Sequence, residues 1–402
     1  MTEENQTALK QEKDIQDNEA QAEENKTYDI LQYLEKEKRG LDEAPFNEID
    51  ALVFSVLSYC RFDDLVPSPD DRGEWVRLDS LLDENTLTEM TYGLSSREKK
   101  RELIEKTALN PRFGGLRVNY YTRSTDDLME KQFSAVSFRL PDNTIFLAYR
   151  GTDNSLTGWR ENFNMAYLDT VPAQHSAAEY YRRVAEMSLS ALPWKNVDGF
   201  RLGGHSKGGN LAMYTAMNSP AGLRSQMLDA YSFDGPGFKK NIFENPEYME
   251  LRSRIHLLLP QDSMIGTLLV QSADYEVVRS TAVGFNQHDP FSWRVEGDSF
   301  INEADLTPKA KLMNDVLDQW MDGVEDSKRW LLIRTVFEII DSTDARTFGE
   351  VLAMISRHEW GALRTLKNVR GEDRRDLISM LMSLVRTYRR LSKERKDSAD
   401  GQ

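Results

Sequence analysis

A single cysteine, Cys60, is the only thiol in 402 residues. No internal disulfide is available, and the chain suits a reducing compartment. Cys60 closes the stretch Ser58-Tyr59-Cys60-Arg61 at the end of an apolar helix and reads as a buried small hydrophobe. No apolar run reaches the roughly eighteen residues that a membrane-spanning helix needs. Met1-Thr2-Glu3-Glu4-Asn5 lacks the apolar stretch of a secretory signal. Together these absences lead us to expect a cytoplasmic protein. Basic residues are in deficit, 51 Lys and Arg against 66 Asp and Glu, for a net charge of -15. That balance argues against a nucleic-acid partner. Histidine is scarce, with five in the whole chain, and no cluster of metal-ligand type is visible. Neither a metal nor another cofactor is expected.

What is present is an ordinary 40% of hydrophobic residues, enough for a large core. The charge is uneven: residues 1–45 hold thirteen acids and six bases, about half of the surplus. Residues 1–44 are expected to form a disordered acidic tail, because their composition offers little to bury. Asn47 to Leu57 reads as a buried helix. Leu116 to Tyr120, Gln132 to Leu140 and Thr144 to Tyr149 read as strands, the last two joined by Pro141-Asp142-Asn143 turn chemistry. Helix and strand then alternate. Ala177, Tyr180, Tyr181, Val184 and Met187 share a helix face. Phe200–Leu202, Ala230–Phe233 and Ile255–Leu259 are apolar strands. An antiparallel hairpin followed by βα alternation means a mostly parallel, covered α/β sheet over residues 45–302. From 303 to 402 the pattern becomes all-helical, with Leu332, Ile333, Val336, Phe337 and Ile340 on one face. Leu377, Leu381, Leu384, Tyr388 and Leu391 line another.

The most informative stretch is Gly204-His205-Ser206-Lys207-Gly208, set between the strand Phe200-Arg201-Leu202 and the helix Asn210-Leu211-Ala212-Met213-Tyr214. It reads as a nucleophile elbow, a strand-turn-helix so tight that glycine must flank the serine. Serine needs a base, and a carboxylate must hold that base in the right tautomer. His175 and His205 precede or adjoin Ser206, His256 lies inside an apolar strand, and His358 lies in an amphipathic helix. His288, in the loop Phe285-Asn286-Gln287-His288-Asp289, remains as the expected base. Two acids sit at the ends of consecutive strands. Asp234 precedes Gly235-Pro236-Gly237 and could simply shape that turn. Asp262, one strand further on, is the expected acid. The oxyanion donors are expected from the N–H of Lys207, after the nucleophile, and of Thr152, after the strand ending in Tyr149. The Lys207 side chain is expected to be solvated.

Phe146-Leu147-Ala148-Tyr149-Arg150-Gly151-Thr152 with Trp159, then Gly203 to Ala212, Phe233-Asp234-Gly235-Pro236-Gly237 and Leu259-Pro260-Gln261-Asp262, resemble the class 3 lipase type of α/β hydrolase. More closely, they resemble a bacterial family of lipase-like hydrolases with unassigned substrates. The resemblance covers about residues 46–300 and implies the α/β-hydrolase fold. It implies Ser206 as nucleophile, Asp262 as acid, His288 as base, and Thr152 and Lys207 in the oxyanion hole. Lys207 departs from it, because lipases usually carry leucine there, and the interval from Asp262 to His288 is short. The C-terminal helices lie outside the pattern. Trp159 and Phe163, at i and i+4, share a helix face and fall where lipases carry a mobile lid; they are expected to bind substrate, with a helix packed over the sheet as the other reading.

The expected activity is serine-dependent cleavage of a carboxylic ester, of a lipid or a small molecule, through an acyl-enzyme. Thioester hydrolysis and acyl transfer use the same parts. The reading from a different class is a non-catalytic scaffold with the hydrolase fold. In that reading the basic, amphipathic C-terminal helices contact a partner protein or a membrane surface.

Overall fold

The computed structural model describes residues 27–71, 73–153, 155–189, 197–341 and 371–400. Nine strands form one sheet in the order β1-β2-β3-β4-β5-β6-β7-β8-β11. They are β1 Val76–Arg77, β2 Arg117–Asp126, β3 Lys131–Arg139, β4 Thr144–Tyr149, β5 Gly199–His205, β6 Met227–Phe233, β7 Ile255–Pro260, β8 Glu276–Val278 and β11 Asn302–Glu303. A small ribbon of β9 Val295–Glu296 and β10 Ser299–Phe300 stands apart. Strands β4 to β8 run parallel, while β1, β2, β3 and β11 pair antiparallel with their neighbours. The β3–β4 hairpin turns through Pro141-Asp142-Asn143, where Asn143 takes the left-handed φ of 59° that asparagine tolerates. Strand β2 runs six residues beyond the expected Leu116–Tyr120, past a bulge at Tyr120.

Helices cover both faces, because strands buried on two sides must have both covered. The α-helices of seven residues or more among the described residues are α1 Ile30–Lys36, α2 Glu48–Leu57, α3 Glu84–Thr91, α4 Arg97–Leu109, α5 Leu156–Asn164, α6 Pro172–Ser188 and α7 Lys207–Asn218, then α8 Pro308–Asp322, α9 Asp326–Asp341 and α10 Gly371–Asp400 in the C-terminal region. On one face α2, almost wholly buried, packs Phe54 against Phe113, Phe138 and Phe146. On the other, α6 and α7 bury Tyr181, Val184, Leu211 and Met213 against Tyr149, Phe200 and Leu202. Cys60 is fully buried, and burial pushes its thiol up to about 12. The arrangement is the α/β-hydrolase fold, followed by a helical C-terminal region. Among the described residues no helix is long and apolar enough to cross a membrane.

The expected tail boundary at residue 44 needs correction. Tyr28 exchanges both backbone hydrogen bonds with Val295, at 3.0 and 2.8 Å. Asp29 caps α1 in a capping box with Gln32, and Ile30, Leu31, Tyr33 and Leu34 are buried in the main core. Beneath them the fully buried Arg112 pairs with Asp50 at 2.5 Å. Arg112 also donates to the carbonyls of Arg39, Ala44 and Pro45, and the Tyr33 hydroxyl donates to Asp50. Average composition concealed a short helix of seven residues with apolar residues at the right spacing. The first 26 residues lie outside the described ones, as does His358.

The C-terminal helices pack on one another and on α5. Trp320 of α8 donates its indole N–H to the Met380 carbonyl and the Ser383 hydroxyl of α10. In α9, Ile333, Phe337 and Ile340 meet Leu156 and Trp159 of α5. The stripe expected on α10 is partly redirected. Leu377 and Leu391 are buried, but Tyr388 is exposed, together with Ile378, Met382 and Val385.

Candidate active site

Strand β5 ends at His205 and α7 begins at Lys207, so Ser206 alone makes the turn, with φ 59° and ψ -134°. Its strained backbone is held by Ser206 N–H donating to the Phe233 carbonyl at 2.9 Å. A Cβ on Gly204 would meet the Gly208 carbonyl carbon at 2.3 Å, and one on Gly208 would meet the Tyr149 oxygen at 2.1 Å. Both flanking glycines are therefore required by close backbone approach. Ser206 is half-buried at the C-terminal end of the sheet.

His288 ends a short 3-10 turn, Gly284–His288, and its ring is 20% exposed. Its Nδ1 lies 2.6 Å from Asp234 Oδ2. An ionised carboxylate only accepts, so Nδ1 carries the proton and Nε2 is left with a free lone pair. Asp234 is 1% exposed, and its other oxygen accepts from Ser263 Oγ at 2.5 Å and Gly266 N at 3.0 Å.

The expected pairing of His288 with Asp262 is therefore corrected. Asp262 accepts from the Thr307 hydroxyl, from Gly284 N–H and from the Gln287 amide, and its own N–H donates to Gln287 Oε1. It braces the loop that carries His288. The reason lies in register: His205 stands opposite Phe233 across β5 and β6, so Ser206 and Asp234 leave adjacent strand ends side by side. Strand β7 lies one position further out.

His205 has a different place. Its Nε2 lies 2.8 Å from the His288 carbonyl, which can only accept, so Nε2 is the donor. Nδ1 then accepts from the Tyr59 hydroxyl at 3.0 Å. Burial, with neighbouring His288 as second cause, holds this ring well below the usual imidazole range and therefore neutral. It fastens the His288 backbone to the elbow.

Thr152 follows β4 and is half-buried, with its hydroxyl donating to Asn162 Oδ1 at 2.9 Å. The expectation of a solvated Lys207 side chain is overturned. Lys207 is 1% exposed and its Nζ sits 2.8 Å from the fully buried Glu161 carboxylate. Trp159 and Phe163, expected as a substrate surface, are instead seats for α9. Their rings are 6.5 Å apart, Phe163 meets Phe337 edge-on at 5.7 Å, and Trp159 packs in the same cluster. Phe285, half-exposed, has its ring 6.1 Å from that of His288, and Val283 and Met264, close in sequence to His288 and to Ser263, are exposed as well; the sequence reading did not single them out. Two surface hollows lie at the far end of α7, lined by Asn218, Ser219 and Pro220, away from Ser206. Among the described residues no group of His, Cys, Asp and Glu is arranged to hold a metal ion.

A family model described as Mbeg1-like matches residues 107–338, more than half of the chain. Among solved structures the chain is similar to M37 lipase, with 14% identity, a TM-score of 0.34, and coverage of 55% of this chain and 70% of that one. It is similar to the lipase from Rhizopus microsporus var. chinensis at 18% identity and a TM-score of 0.33, covering 51% and 72%. For Lip2 lipase from Yarrowia lipolytica the values are 12%, 0.32, 47% and 73%. No curated protein sequence matches the chain.

Proposed function

The chain belongs to the Mbeg1-like family, and we propose that it is a serine hydrolase that cleaves a carboxylic ester through an acyl-enzyme. The observation that carries the reading is one strained serine, Ser206, at an elbow whose preceding residue His205 bonds the backbone of His288, with His288 Nδ1 in turn held by a buried aspartate. In this mechanism His288 Nε2 accepts the Ser206 Oγ proton as Oγ attacks the ester carbonyl. Asp234 keeps the imidazole in the productive tautomer and stabilises the imidazolium. The N–H groups of Lys207 and Thr152 receive the oxyanion. Collapse expels the alcohol, which takes its proton from His288. Water, activated by the same imidazole, then releases the acid.

Exposed Val283, Phe285 and Met264 around the His288 loop support an ester with an apolar acyl or alcohol part. The lone buried thiol supports a reducing compartment, which makes the cytoplasm part of the proposal. Labelling with a fluorophosphonate probe tests the reading. One adduct is expected, on Ser206, and none in a folded Ser206→Ala variant. Equal labelling of both proteins removes the assignment.

A further inference from the structure

The two groups that would receive the oxyanion leave different strands, β4 and β5, and nothing in the hydrolytic cycle itself sets their separation. Helix α5 touches both. Glu161 and Asn162 are consecutive on it. The Asn162 side-chain oxygen accepts from the Thr152 hydroxyl at 2.9 Å, and the Glu161 carboxylate accepts from Lys207 Nζ at 2.8 Å.

The Glu161 contact satisfies both charged groups, although the Gln132 side-chain amide nitrogen beside it is buried without a hydrogen-bond partner among the described residues. Lys207 Nζ also donates to the Gln132 carbonyl at 2.6 Å and to Gln132 Oε1 at 2.9 Å, so its three donors have three acceptors. Glu161 Oε2 accepts in addition from Gln132 N–H at 3.0 Å, and Oε1 from Ala173 N–H at 2.9 Å. Four segments meet at this pair: the start of β3, helix α5, the first turn of α6 and the first residue of α7. Both side chains are essentially fully buried. A buried ion pair is a poor source of stability compared with apolar residues of the same size, but it fixes geometry. Helix α5 also approaches too closely to slide. A Cβ at Gly158 would lie 2.9 Å from both Gln132 Oε1 and Thr152 Cγ2.

We propose that Glu161 and Asn162 are positioning residues which hold the backbone of Lys207 and Thr152 at the separation an oxyanion requires. This rests on the esterase reading above. The hole is then formed before substrate arrives, and α5 acts as a fixed wall rather than a lid.

The test compares Asn162→Ala, Asn162→Asp and the paired variant Glu161→Gln/Lys207→Met with the full-length protein, using a soluble p-nitrophenyl ester. Asn162→Ala removes an acceptor from a half-exposed hydroxyl and is expected to fold normally. The paired variant removes both charges together, so neither is left buried alone. Each is expected to lower kcat about tenfold or more with KM unchanged. Asn162→Asp, which keeps the acceptor, is expected to remain within about threefold of wild type. An alkylboronic acid gives the readout that a purely structural role would not move, because its serine adduct places an oxygen in the hole. Its Ki is expected to rise by the factor by which kcat/KM falls. If Asn162→Ala and the folded paired variant keep wild-type kcat and Ki, the positioning role is overturned. Ser206→Ala separates the two readings, since full turnover in that variant overturns the esterase assignment itself.

Discussion

Replacing Asp234 by asparagine is expected to reverse the hydrogen-bond polarity at His288 Nδ1 and favour the wrong tautomer. The precedent for this change in a serine triad is a loss of roughly ten-thousand-fold in turnover. Asp262→Asn still offers an oxygen to Thr307 and is expected to cost less than about tenfold, through a looser His288 loop. Steady-state kinetics with matched thermal melts decide between them, and an inactive Asp262→Asn beside an active Asp234→Asn reverses the assignment. Asp234 was visible in the sequence as a strand-end acid, but choosing it over Asp262 required the register of β5 against β6. Ser206 and His288 were legible for local reasons: the glycine spacing, and a histidine in a loop. Glu161 gave no such signal. It lies 46 positions before Lys207, and a lone lysine at a helix start is ordinarily solvated.

Strand and helix periodicity made the central elements readable, since each apolar face must meet the sheet. Helix α1 was missed because its short buried face sits among acidic residues whose average suggested a tail. Its consequence can be measured. Deleting residues 1–26, a polar and acidic stretch, is expected to shift the melting temperature by no more than a few degrees. Deleting 1–44 removes Ile30, Leu31, Tyr33 and Leu34 from the core, each worth about 2 kcal/mol of burial. It also strips Arg112 of the Arg39 and Ala44 carbonyls. That sum is comparable with the whole stability of a domain, about 5–15 kcal/mol, so no cooperative melt is expected. A normal melt after the longer deletion would show α1 to be dispensable. The C-terminal helices were foreseen as helices, but their seat was not. That Trp159 and Phe163 pack against α9 depends on a contact across more than 170 residues of chain.

A strong contributor to the pH response at neutral to alkaline pH lies outside the candidate active site. His256 of β7 lies between Glu48 and Asp229, each at 3.2 Å, and stacks on Tyr231. Burial opposes its charge, but the two carboxylates prevail and raise it to about 9. A folded value above the unfolded one means that this stabilisation is fully present below about pH 6.5 and is lost as pH rises through about 9. After discounting for partial exposure it amounts to about 1–2 kcal/mol. Wild type is therefore expected to lose more melting temperature between pH 6.5 and 9.5 than His256→Gln. Parallel declines would remove His256 from the account.

The outermost strands of the sheet, β1 and β11, are two residues each, and Arg77 and Glu303 sit on them. A sheet of nine strands with long, bare margins would be a template for accretion of further chains. Each of these two outer strands is too short to offer an incoming strand much backbone and carries a charge, although β1 covers only Arg117 and Val118 of β2. Short, charged outer strands of this kind disfavour edge-to-edge stacking of partly opened molecules.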